Sequence, residues 1–180
     1  MLLRKLNAAL SLLTALMFFD HSIFLSIWML SDFRIEKSAD AMPFILAGVM
    51  VLHALISILL GILGHKGAEK RKCNAYPKLN AETFIQRASG ILMLLLLGAH
   101  IAGAATHMQP KILHSILQTV FFLSAFAHIS VSVGRSLITL GIGNAKIIKV
   151  VDIAMKLLCL AVFAMSMVAL FRAMFPGGAI

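Results

Sequence analysis

The sequence is poor in cysteine and in charged residues. Its two cysteines, Cys73 and Cys159, are far apart and form no Cys-x-x-Cys pair. This excludes a covalent c-type haem attachment, a thiolate zinc site and a disulfide framework. Only 13% of the residues are charged, although the formal net charge is +9, so the profile is not that of a nucleic-acid-binding domain. Internal repeats, low-complexity segments and a glycine-rich nucleotide-binding loop are also absent from the sequence.

Apolar residues dominate the composition of the chain. They make up 61% of the chain, and the mean hydropathy is +0.97. A soluble domain of this composition would expose more apolar surface than a monomer tolerates, so we predict an all-α integral membrane protein. About 20 helical residues cross a hydrocarbon core of roughly 30 Å. We predict a single transmembrane domain, 1–180, with five helices at about 6–30, 44–64, 83–106, 112–140 and 150–175.

The first apolar run follows Arg4-Lys5, as in a signal peptide. It is too long for one, however, and it contains Asp20-His21. No small-residue cleavage pattern follows it. We therefore expect this run to be retained as a transmembrane helix.

Lysine and arginine predict the orientation, because cytoplasmic loops of membrane proteins carry an excess of both. With five spans and the N-terminus inside, twelve of the 16 basic residues fall on the inner side and four on the outer side. The inner set is Arg4, Lys5, Lys66, Lys70, Arg71, Lys72, Lys78, Arg87, Arg135, Lys146, Lys149 and Lys156, and the outer set is Arg34, Lys37, Lys111 and Arg172. The N-terminus is predicted to be cytoplasmic and the C-terminus outside.

The histidines are distributed over the first four predicted helices. Four of the seven lie inside predicted helices, one in each of the first four: His21, His53, His100 and His128. A histidine within hydrocarbon is costly and usually has a functional partner, although a buried one can simply bond a neighbouring hydroxyl or carbonyl. Two bis-histidine haems need four imidazoles on facing helices of a bundle. We interpret the four histidines as ligands of two non-covalent haems.

Depth limits how these histidines can pair. At about 1.5 Å per residue, His100 lies roughly 9 Å below the outer end of its helix, and His128 roughly 25 Å below the outer start of its own. The two therefore cannot share one iron. His21 and His53 both lie near mid-span, so counting residues leaves their partners open.

Several segments resemble a known family, the cytochrome b membrane subunit of succinate dehydrogenase and fumarate reductase. Nearly the whole chain is similar to its single-polypeptide, five-helix, di-haem type. The most specific match is a Gln-Arg-x-Thr/Ser-Gly pattern followed by a histidine, here Gln86-Arg87-Ala88-Ser89-Gly90-Ile91 and His100. Further matches are His53-Ala54, His128 with Gly141-Ile142, and Leu170-Phe171-Arg172-Ala173-Met174-Phe175. The chain departs from the family's Arg-Arg-Leu-His-Ser opening, because Asn7 follows Leu6.

This resemblance implies a ligand pairing and a function. His21 with His100 would hold an outer haem b, and His53 with His128 an inner one, in a bundle formed by the first four helices. The chain would be the membrane anchor of a succinate:quinone oxidoreductase in a bacterial cytoplasmic membrane. It would carry electrons between a membrane quinone, menaquinone, and an iron–sulfur subunit bound to a flavoprotein. It would not perform the dicarboxylate chemistry itself.

Five further residues are candidates for roles around these haems. Gln86, Arg87, Ser89 and Arg135 are candidates for contact with a haem propionate or quinone, since arginine pairs well with carboxylates, although inner-side arginines also follow from topology. Asp20 is a proton-handling candidate, because an intramembrane carboxylate is functional by default. It is adjacent to His21 on a helix, so it need not face the haem.

Three alternatives stay open. The chain could anchor a different respiratory enzyme, of the formate dehydrogenase, hydrogenase or nitrate reductase type. It could instead be a haem-free transporter or channel whose histidines relay protons. An assembly or scaffold protein is the third, and it would leave four mid-membrane histidines unexplained.

Overall fold

The computed structural model describes residues 1–31, 41–65, 77–106 and 111–175. Within these ranges the secondary structure consists of five α-helices and contains no strand, which confirms the all-helical prediction. Each helix is long and apolar enough to cross a membrane. The helices are α1 Leu2–Leu30, α2 Met42–His65, α3 Pro77–Thr106, α4 Lys111–Leu140 and α5 Ala145–Met174.

Three helices begin well before their predicted starts. Helix α1 begins at Leu2 rather than Leu6. The third begins at Pro77 rather than Thr83, and proline suits the first turn of a helix because its missing N–H needs no partner there. The fifth begins at Ala145 rather than Val150, because Asn144 caps it. The Asn144 side chain accepts hydrogen bonds from the backbone N–H groups of Lys146 and Ile147, at 3.1 and 3.0 Å, which satisfies two otherwise unpaired donors.

Glycine ends α4. Gly141 has φ +77°, a left-handed conformation that glycine adopts without a steric penalty. Its N–H donates to the carbonyl of Ile138, and the next N–H, of Ile142, donates to Leu137. These are the two bonds of a Schellman motif. The chain therefore reverses direction within four residues and returns as α5.

Helices α1 and α4 form the centre of the assembly. They pack against each other, α3 and α5 pack against α4, and α2 packs against α1. Helix α5 also contacts α1, and Arg172 near its end donates a hydrogen bond to the carbonyl of Leu30 at the end of α1. Helices α2 and α3 touch each other at few points. The first four helices thus surround an interior that is loosely closed between α2 and α3.

An aromatic cluster fills the middle of this interior. Phe18 of α1, which is 2% exposed, meets Phe121, Phe122 and Phe126 of α4 at ring-centroid distances of 6.2, 6.1 and 5.7 Å. These tilted and edge-on contacts are favourable arrangements for aromatic rings. Along α4 the cluster lies between Gln118 and His128, so it separates the half of the bundle that contains Gln118 from the half that contains His128. We name these the outer and the inner half after the predicted orientation.

Candidate functional site

The inner half of the bundle contains a histidine with a defined tautomer. The Nδ1 atom of His128 on α4 lies 2.9 Å from the backbone carbonyl oxygen of Gln86 on α3. Because a carbonyl can only accept a hydrogen bond, Nδ1 carries the proton and Nε2 keeps a lone pair. Metal-ligating histidines typically donate their second ring N–H to a carbonyl or carboxylate in this way.

Side chains of α3 and α4 extend this contact toward the inner ends of both helices. The Gln86 amide donates to Ser132 Oγ at 3.0 Å, and its oxygen accepts from Arg135 Nη1 at 2.8 Å. Arg135 Nη2 also donates to Thr83 Oγ1 at 3.1 Å. Ser89 is buried, its hydroxyl donates to the carbonyl of Ile85, and it lies 3.4 Å from His128 Nδ1. Three of the predicted contact residues, Gln86, Ser89 and Arg135, therefore meet around His128.

Gly90 makes room for the His128 ring. A Cβ atom at residue 90 would lie 3.1 Å from Cε1 and 3.2 Å from Nδ1 of His128, which is closer than ordinary van der Waals contact. The glycine in the Ser89-Gly90 pair therefore permits α3 to approach the imidazole closely.

His53 of α2 faces His128. Their ring centroids are 6.4 Å apart, with the ring planes at 73°. An imidazole nitrogen lies about 2 Å from a transition metal that it ligates, so two imidazoles on opposite sides of one metal have centroids roughly 6 Å apart. Nδ1 of His53 is buried and has no hydrogen-bond partner among the described residues, and an unpaired buried polar atom is unusual enough to need an explanation.

The outer half of the bundle contains a cavity of about 630 Å³. This volume is within the range of small-molecule and cofactor sites. His21 of α1 and His100 of α3 both line it, together with His114 and Gln118 of α4. Apolar side chains form most of the remaining wall, including Phe18, Leu46, Met50, Leu97, Phe121 and Phe122. His53 and His128 are not among its lining residues.

His100 is held from two sides. Its Nδ1 atom lies 2.8 Å from Oε1 of Gln118, and its ring stacks on Phe121 with centroids 5.2 Å apart and planes at 10°. The arrangement resembles that of His128, because Nδ1 again faces an oxygen acceptor. The structure therefore brings His21 together with His100, and His53 together with His128, and each pair is held by three or four different helices.

Two predicted site residues lie outside both histidine sites. Asp20 and Arg87 are exposed, and no hydrogen bond or ion pair connects Arg87 with the described part of the chain. Successive helical residues point about 100° apart, so His21 and Gln86 face inward while their neighbours face outward. The basic segment 66–76, which contains four of the predicted inner-side residues, lies outside the described residues.

Sequence reasoning did not identify Gln118, His114, Thr83 or Ser132 as site residues. Gln118 and His114 are four residues apart and so share a face of α4, which was the available signal. The contact partner of a single glutamine in an apolar helix cannot otherwise be predicted from the sequence, because it depends on how two helices are rotated against each other.

The residues present fit a bis-histidine haem at each of two levels of the bundle. The inner level is the pair His53 and His128, and the outer level is the pair His21 and His100. Each level has two imidazoles from different helices, and at least one imidazole at each level has Nδ1 facing an acceptor. Within the described ranges no group of three or more His, Cys, Asp or Glu side chains could hold a metal ion, but haem iron needs only two axial ligands from the protein. Comparisons of the chain with protein families, with curated proteins and with solved structures give no match.

Proposed function

We propose that this chain is an integral membrane cytochrome b subunit that crosses a bacterial cytoplasmic membrane five times and binds two haem b groups. His53 and His128 would hold the inner haem, and His21 and His100 the outer one. The observation that carries the proposal is the pair His53 and His128, whose ring centroids are 6.4 Å apart, a separation at which the two imidazoles would hold one haem iron.

The chain's own residues would set the properties of these sites. Gln86 and Gln118 orient one imidazole at each level through Nδ1, which keeps Nε2 available as a ligand atom. Arg135 places a positive charge beside the inner site, where haem propionates could pair with it. The aromatic cluster separates the two levels and excludes water. Haem, when bound, would supply one-electron redox chemistry at potentials tuned by ligation, burial and nearby charge.

An electron carrier with one haem in each half of the membrane needs a donor and an acceptor. The outer cavity reaches the surface at Phe44 and Ile101, which line it and are 71% and 42% exposed. A lipophilic quinone could reach the cavity from the bilayer there. By the resemblance of the Gln86–Gly90 and histidine pattern, the other partner is the iron–sulfur subunit of a succinate dehydrogenase or fumarate reductase, itself bound to a flavoprotein.

Substrate-driven reduction of the haems tests this assignment. The chain would be purified with its native partners from membranes, the co-purifying subunits identified, and the absorbance of the b haems followed after adding succinate or a menaquinol analogue. Reduction by both is the expected result. Reduction by formate or hydrogen but not by succinate would instead assign the chain to another respiratory enzyme. A folded complex without haem would favour the proton-relay transporter.

A further inference from the structure

Gln118 is a buried polar residue between two histidines of the outer cavity. It is 4% exposed and belongs to α4. Its amide oxygen lies 2.8 Å from His100 Nδ1 on α3, and its amide nitrogen lies 3.4 Å from His114 Nε2 on its own helix. A glutamine at this depth is kept only if its polar atoms are satisfied, and here both ends of the amide have an imidazole partner.

The direction of these hydrogen bonds follows from what each atom can do. The amide oxygen can only accept and the amide nitrogen can only donate. His100 therefore carries its proton on Nδ1 and keeps a lone pair on Nε2, while His114 accepts through Nε2. A flipped amide would present N–H to His100 and would move the imidazole proton to Nε2. Ligation of a metal through Nε2 of His100 would require the first orientation, in which Nδ1 carries the proton.

We propose that Gln118 is the positioning residue of the outer haem ligand: it fixes the tautomer and the ring direction of His100, and thereby sets the reduction potential of the outer haem. This inference rests on the proposed function. Hydrogen bonding at Nδ1 raises the basicity of a ligating imidazole, and a more basic ligand stabilises the oxidised iron. Stacking on Phe121 restricts the ring plane, so loss of the amide would leave the tautomer and the tilt of the ring without a polar restraint.

The two histidine pairs differ in the acceptor that fixes the imidazole tautomer. His128 donates to the backbone carbonyl of Gln86, which no side-chain substitution removes directly. His100 donates to a side chain. Residue 118 is thus a position at which a single substitution alters one haem and leaves the other as an internal reference.

Redox titration of three variants in the haem-loaded protein tests the proposal. Gln118→Met keeps the length of the side chain without the acceptor, and Gln118→Glu replaces the amide oxygen by a stronger acceptor. Thr119→Val is the matched control, because Thr119 is adjacent but bonds Ser115 and Met167 rather than the cavity. The midpoint potential of each haem and the electron paramagnetic resonance spectrum of the oxidised protein would be measured at one pH.

In Gln118→Met we expect one haem either to shift to higher potential, with an altered resonance spectrum, or to be lost. Gln118→Glu is expected to shift that haem to lower potential, and it should be the haem that His100→Ala removes. The inner haem, retained in each variant, shows that the chain has folded. Potentials and spectra of Gln118→Met that match those of Thr119→Val would overturn the proposal. Absence of haem from the unaltered protein would overturn the proposed function instead.

Discussion

His53 and His128 face each other across the inner half of the bundle, with ring centroids 6.4 Å apart. One imidazole comes from α2, which packs mainly on α1, and the other from the central helix α4. His128 is oriented by a backbone carbonyl of a third helix. A site assembled from three helices in this way depends on how these helices pack. A substitution at one site is therefore expected to affect that site and not the other.

Alanine substitutions of the histidines should remove the haems in pairs. His53→Ala and His128→Ala should each abolish the same haem, because either change would remove one of the two proposed ligands of that haem. His21→Ala and His100→Ala should abolish the other. Difference spectra of the four variants check this grouping, and each pair serves as the control for the other. Retention of both haems in His21→Ala or His100→Ala would show that the outer pair is wrong.

Gly90→Ala should disturb the inner site alone. The added Cβ would lie 3.1 Å from His128, so the ring must move, and overpacking of this kind costs about 1–3 kcal/mol. We expect a shifted spectrum or reduced occupancy of the inner haem, measured by difference spectroscopy and haem quantification.

Gly98→Ala is the matched control for this change. It lies on the same helix, and a Cβ there meets nothing within 4 Å. Alanine should stabilise the helix by up to about 1 kcal/mol and leave both haem spectra intact. Identical behaviour of the two alanine variants would contradict the role assigned to Gly90.

Arg135 and Arg87 should differ in their effect on stability although both are inner-side arginines. Arg135→Met removes hydrogen bonds to Gln86 and Thr83, and we expect a loss of about 1–3 kcal/mol in the free energy of unfolding. Arg87→Met should change it by less than about 0.5 kcal/mol, as for other surface substitutions. Thermal unfolding in detergent measures both. An equal loss in the two variants would mean that the network around Gln86 contributes nothing specific.

Asp20→Asn should leave both haems and their spectra unchanged, because Asp20 is exposed and does not line the cavity that His21 lines. The measurement is haem content together with quinol-driven haem reduction. Normal haems with a reduction rate at least tenfold lower would return Asp20 to the proton-handling role that its intramembrane position suggested. A lost or shifted outer haem would show that the carboxylate contacts the cofactor.

Much of this fold follows from the sequence because the spans are set by the length of apolar runs. The helix starts at Leu2, Pro77 and Ala145 were missed, because the first turn of each of these helices contains lysine or arginine, which lowers its mean hydropathy. Asn144 was the available signal for α5, as an N-cap two residues before Lys146. Capping acts through a few backbone hydrogen bonds, which a search for apolar periodicity does not detect.

The four histidines of the site could be identified from the sequence, but not all of the residues around them, since Arg87 was a contact candidate and is exposed. Adjacent positions point in different directions on a helix, so a ligand role for His21 left Asp20 facing elsewhere. The partner of His100 could not be predicted in the same way. Contact between His100 and Gln118 depends on the rotation and axial offset of α3 against α4, and these are decided by packing between apolar surfaces that many sequences satisfy equally well.

Haem content tests most directly whether the chain binds two haem b groups. A pyridine haemochrome assay and a dithionite-reduced minus oxidised spectrum would be recorded on purified protein produced with ample haem. We expect two b haems per chain with the spectrum of bis-histidine ligation. Folded protein with no haem would contradict it.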